Sequence, residues 1–129
     1  MKVTNTLDIY KILVERKIAY EDEIFGCSQA EIISLELIYG IFPESYKQIL
    51  KFMGKLAGTF IFYDEFSFYF DDICECNEAW NDPSSPLPQN SFVILERHGA
   101  DTHFIITGQQ QNDCTVFYLS EQDSSIKVA

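Results

Sequence analysis

Apolar residues recur along this chain first at helical spacing and then at strand spacing. Leu7, Tyr10, Leu13 and Val14 lie three or four positions apart with Lys11, Glu15 and Arg16 opposite them, which predicts a packing helix from about Thr6 to Lys17. Beyond a polar loop, Ser28 and Glu31 form the S-x-x-E of a capping box ahead of the apolar run Ile32, Ile33, Leu35, Leu37, Ile38 and Tyr39, and Gly40 supplies the stop. Pro43 opens the next helix, Tyr46, Ile49, Leu50 and Met53 make its apolar face, and Gly54 closes it. The joint between these two helices is short enough to predict a helical hairpin.

From Gly58 to Phe70 the period changes to two. Phe60 and Phe62 fall on one face, Ile61 and Tyr63 on the other, and Phe66, Phe68 and Phe70 alternate after Asp64 and Glu65, giving two short strands or a strand and an extended turn. Asp71 is placed to cap a short helix through Trp80, with acids in its first turn where the helix dipole favours them. The Pro- and Ser-bearing segment Asn81 to Asn90 reads as a surface loop. Strands then run from Phe92 to Glu96, Thr102 to Thr107 and Cys114 to Leu119, with Ile126 and Val128 positioned for a last edge pairing. Short connections between them imply an antiparallel meander. Helices first and strands afterwards define an α+β fold: one domain over residues 1–129, with helices packed on one face of an antiparallel, twisted sheet.

The length of 129 residues suits one core, and an apolar fraction of 47%, with 15% aromatic, is ample to fill it. Charge sharpens the picture. Twenty acidic against nine basic residues give a net charge of -11, a field that repels phosphate backbones and anionic lipid heads, so neither nucleic acid nor membrane is an expected partner. No Lys or Arg occurs between Lys55 and Arg97, whereas Asp64, Glu65, Asp71, Asp72, Glu75, Glu78, Asp82 and Glu96 all do. That stretch is suited to a basic partner, although acidic surfaces also serve solubility alone. The start of the chain shows no apolar signal core, and no apolar run approaches the roughly 18 residues needed to span a bilayer, so a cytoplasmic protein is expected. In that setting Cys27, Cys74, Cys76 and Cys114 read as reduced thiols rather than disulfides.

Candidate chemistry is sparse. His98 and His103 fall in and beside a hairpin turn with no glycine-flanked nucleophile to serve. Cys74 and Cys76 lie on a predicted helix, where side chains two apart point about 200° away from each other and cannot chelate one metal together. The acid pairs Asp64/Glu65 and Asp71/Asp72 have local turn and cap explanations. Walker, GxGxxG and HExxH motifs are missing from the sequence. The aromatic stripe from Phe60 to Phe70 lacks the interleaved Lys or Arg of a base-stacking platform and reads as core. Trp80 suits either a loop anchor or an interface hot spot, the anchor being favoured. No catalytic residue, metal site or cofactor is therefore expected.

Glu31-Ile32-Ile33-Ser34-Leu35-Glu36, then Tyr39-Gly40-Ile41-Phe42-Pro43 and Tyr46, Leu50 and Gly54, resemble the helical start of the SUKH superfamily, the SMI/KNR-type group. The resemblance extends through Asp71-Asp72-Ile73 to Trp80, Asn90-Ser91-Phe92-Val93-Ile94 and Val116-Phe117-Tyr118, covering roughly residues 28 to 119. Met53 departs from it, standing where asparagine is usual, and the chain ends where the family commonly adds a strand or helix. The resemblance implies structural roles for Glu36, Gly40, Pro43, Tyr46 and Gly54. Functionally it implies a bacterial immunity protein that neutralises a cognate toxin, often a nuclease or deaminase, by stoichiometric binding. The alternative is a regulatory adaptor like the fungal cell-wall synthesis regulators of the same family, and an unrecognised small-molecule enzyme stands third. On the leading reading the partner-binding residues are Asp64, Glu65, Asp71, Asp72, Glu75, Glu78, Trp80 and Asp82, facing a basic active-site cleft. The sequence assigns no oligomeric state.

Overall fold

The computed structural model describes residues 12, 14–18, 20–57, 68–97, 101–120 and 123–128. Most of the expected first helix lies outside these residues, as do 58–67 of the strands expected across 58–70, with the acids Asp64 and Glu65; of the remainder, Phe68 and Tyr69 are not strand and Phe70 is already helical. Ile12, Val14 and Glu15 are helical, and the Arg16 N–H donates to the Ile12 carbonyl at 3.0 Å.

A 3-10 turn at Glu21–Glu23 leads into β1 (Ile24–Phe25), followed by α1 (Gln29–Tyr39), α2 (Glu44–Met53), β2 (Leu56–Ala57), α3 (Phe70–Trp80), β3 (Ser91–Arg97), β4 (Asp101–Ile106), β5 (Phe117–Ser120) and β6 (Asp123–Val128). The last four strands form an antiparallel sheet in the order β3-β4-β5-β6, and β1 pairs with β2 separately. The α+β meander expected from the sequence is what forms, including the final pairing of Ile126 with Leu119 and Val128 with Phe117. The short β1–β2 ribbon was not expected.

α1 starts as its capping box dictates. Glu31 N–H donates to Ser28 Oγ (3.2 Å) and Ser28 N–H donates to Glu31 Oε1 (2.9 Å), satisfying two N-terminal donors reciprocally. α2 has Pro43 as N-cap, which offers no side-chain acceptor, so its first free donors go elsewhere: Glu44 N–H to the Gln111 carbonyl and Ser45 N–H to that of Asn112, each at 2.8 Å. That docking ties the front of α2 to the segment before β5, which begins at Phe117 rather than at Cys114. α3 begins at Phe70 with Tyr69 as N-cap, two residues earlier than expected, so Asp71 and Asp72 occupy the first turn and neither caps the helix.

Strand alternation sends side chains to two faces of the main sheet. Phe92 and Ile105 join Ile32, Leu35, Phe42, Tyr46, Leu50 and Ile73 in the larger core beneath the helices. Val93, Phe104 and Leu119 point the other way, where Trp80 and Leu87 cover them. A bulge between Val93 and Leu95 interrupts the β3–β4 ladder. A third, smaller cluster surrounds Met53 with Ile24, Ile49, Phe52, Phe68 and Tyr69.

Candidate protein-binding face

Positions implied by family resemblance have local physical reasons. The Glu36 carboxylate accepts from the Phe42 N–H (2.9 Å) and lies 3.9 Å from Lys47 Nζ, so one side chain spans the turn between α1 and α2. Gly40 sits at φ 102°, ψ 166°, a positive-φ conformation outside the left-handed helical region, and a Cβ there would meet Thr107 Oγ1 at 2.9 Å. Pro43 is buried at the start of α2, and Tyr46, buried against Phe42 and Phe92, has its phenol pushed upward in pKa by desolvation. Gly54 has ordinary helical angles; it is required because a Cβ would stand 2.7 Å from both Cys27 Sγ and the Leu50 carbonyl.

α3 carries most of the acidic positions expected to meet a partner. Ile73, Asn77 and Trp80 recur at i, i+4 and i+7 and turn toward the sheet, which leaves Asp71, Asp72, Glu75 and Glu78 exposed on the opposite side. Asp71 comes within 3.9 Å of Lys55 Nζ, but that lysine is already bonded to Glu31, so the stripe stays acidic. Asp82 is exposed yet occupied: its Oδ1 accepts from Ser84 N–H (2.8 Å) and Ser84 Oγ (2.7 Å), and these bonds hold its carboxyl below the usual range. It closes the loop after α3.

Two anchors hold this helix in place. Asn77, only 3% exposed, donates from Nδ2 to the Ile73 and Val93 carbonyls (2.9 Å each), while Val93 N–H donates to its Oδ1 (2.8 Å). The amide pairs with edge strand β3 much as another strand would, satisfying backbone groups that burial would otherwise strand. Trp80 Nε1 donates to Glu96 Oε2 (2.8 Å), with the indole over the second apolar face. Trp80 thus ties α3 to the sheet and shares its apolar cluster with Leu87 of the following loop, and it is only partly buried. Asn77 was missed, because a polar residue in an acidic helix reads as solvated and its partner lies 16 residues away.

Where α1 and α3 end, a cleft of about 290 Å³ opens between them and the 81–90 loop, lined by Ile38, Tyr39, Asn77, Trp80, Leu87 and Pro88 among others. Chemistry elsewhere is muted. Burial pushes the Cys27 and Cys76 thiols up to about 12, with nearby Glu31 and Glu96 adding to the effect, and raises Cys74 and Cys114 as well. All four cysteines are free and hold their protons at neutral pH. His103 is held below the usual histidine range by burial. Among the described residues no group of three or more His, Cys, Asp or Glu is placed to hold a metal ion, and no helix is long and apolar enough to cross a membrane. No protein-family model, curated protein or solved structure matches this chain.

Proposed function

We propose that this chain is a non-catalytic, cytoplasmic immunity protein that silences a cognate toxin by covering its cationic active-site cleft with the acidic face of α3. The observation that carries this reading is the single-sided exposure of Asp71, Asp72, Glu75 and Glu78 on a helix pinned to the sheet by Asn77 and Trp80. A nuclease or deaminase that binds a polyanion keeps a positive groove for phosphate, and a rigid acidic ridge competes for that groove without an ordering cost. Electrostatic attraction also speeds encounter, which favours rapid neutralisation. The resemblance to SUKH immunity proteins points the same way.

The test is co-purification with, and inhibition of, the C-terminal domain of a toxin encoded beside this gene, using Glu75→Lys with Glu78→Lys against the control Glu15→Lys with Asp22→Lys. Both pairs change net charge equally, and all four side chains are exposed. The α3 reversal is expected to slow association and to abolish protection of cells, while the control protects normally. Equal protection by both folded variants overturns the reading.

A further inference from the structure

α1 is apolar on both sides. Ile32 and Leu35 fill the core, yet Ile33, Leu37, Ile38 and Ile41 remain 44%, 81%, 67% and 44% exposed. Ile33 and Leu37 lie four apart on the outer side of α1, Ile41 follows in the turn after it, and Ile38 stands about 100° round from Leu37, where it carries the apolar surface to the cleft. The patch runs directly into the 290 Å³ cleft, because Ile38 belongs to both, and Trp80 and Leu87 form the far wall. Cationic side chains are missing from the elements that frame it: neither 29–46 nor 70–96 contains a Lys or Arg. Glu78 lies close enough for its charge to reach Tyr39 at the cleft, and Asp82 stands on its rim.

We infer that the outer face of α1 and the adjoining cleft form the apolar centre of a docking surface for a cationic amphipathic helix of a partner protein, which inserts an apolar side chain beside Trp80. An apolar centre inside a charged rim is the usual anatomy of a specific interface, and a partly buried tryptophan beside a concavity is a common hot spot. The acidic rim selects the sign of the partner. A second copy of this chain would bring the same acids against one another on a protein of net charge -11, and like charges brought together at an interface oppose association. This inference rests on the reading that α3 meets a basic protein, and adds where the apolar contact falls.

Trp80 is the only tryptophan, so its fluorescence reports occupancy of the cleft directly. The probe is a synthetic amphipathic helical peptide of Lys and Leu without tryptophan, titrated into the full chain; its Glu/Leu counterpart is the charge control. Saturable change in Trp80 emission is expected with the Lys/Leu peptide alone. Leu37→Ser with Ile38→Ser is expected to weaken binding by at least about tenfold, and Glu75→Lys with Glu78→Lys to remove most of its salt dependence. Unchanged affinity in the Leu37/Ile38 variant, or equal binding of the Glu/Leu peptide, overturns the inference. So does a concentration-dependent dimer, seen by sedimentation, that Leu37→Ser dissolves. Because no toxin is used, a failure to inhibit any toxin would sink the functional reading and leave this result standing.

Discussion

α1 and α2 follow one another in the chain, have 11 and 10 residues, and contribute to the same core, yet their outer faces differ completely. α2 buries Tyr46, Leu50 and Met53 and shows Glu44, Ser45, Gln48 and Lys51 to water. α1 buries Ile32 and Leu35 and shows Ile33, Leu37 and Ile38 as well. An outer face like that of α2 keeps a helix soluble; an outer face like that of α1 adds nothing to the fold and carries an aggregation risk. Stability therefore explains all of α2 and only half of α1.

The comparison is most easily broken at the inner faces, where the two helices are expected to behave alike. Ile32→Ala in α1 and Leu50→Ala in α2 each remove a fully packed aliphatic side chain and are expected to destabilise by about 2 to 5 kcal/mol, read from urea denaturation midpoints. A loss below about 0.5 kcal/mol at either site would show that helix to be misassigned in the core. Asn77→Ala comes next, at about 1 to 3 kcal/mol, since it leaves the Val93 N–H and carbonyl buried without their partner. If Asn77→Ala were neutral, α3 would be held by its apolar contacts alone.

How much of this was readable in the sequence follows from how local each signal is. The start of α1 was legible because Ser28 and Glu31 satisfy one another three residues apart, and the face of α2 because Tyr46, Leu50 and Met53 repeat at helical spacing. The strands of the meander alternate over enough residues to show their period. β1 and β2 are two residues each, too short to have one. Asn77 and Glu96 look like solvated residues until Val93 and Trp80 are brought to them by the fold. The apolar run in α1 is one block in the sequence, and apolar residues on several sides of a helix give no hint of which face out. The acidic ridge was legible as a stretch without Lys or Arg, but its split into the exposed acids of α3 and the loop-closing Asp82 was not.

Acid titration separates the two helices by a smaller margin. The Glu31 carboxyl, at the front of α1, is held below the ordinary range chiefly by its hydrogen bond with Lys55, and Glu44, at the front of α2, by its bond from Gln48. A depressed folded-state pKa means that the charged carboxylate is favoured by folding. Its contribution is complete above the unfolded value of about 4.3 and disappears as pH falls through the lower folded value. Stability is thus expected to fall as pH drops through and below that unfolded value, and Glu31→Gln is expected to flatten that slope. A slope unchanged in Glu31→Gln would place the acid sensitivity elsewhere.

The smallest effect is expected on the outer face of α1, where Leu37→Ser and Ile38→Ser should each shift stability by no more than about 0.5 kcal/mol. A loss of about 2 kcal/mol or more at either position would mean that the patch is packed within the protein and unavailable to a partner.

The central claim, that the corner between α1 and α3 is the binding surface, is tested most directly by hydroxyl-radical footprinting of this chain with and without the toxin domain proposed as its partner. Leu37, Ile38 and Trp80 are expected to lose most of their oxidation in the complex, while the exposed Ile126 and Val128 of β6 react as before. Protection confined to Ile126 and Val128, with Leu37, Ile38 and Trp80 still fully reactive, would contradict it.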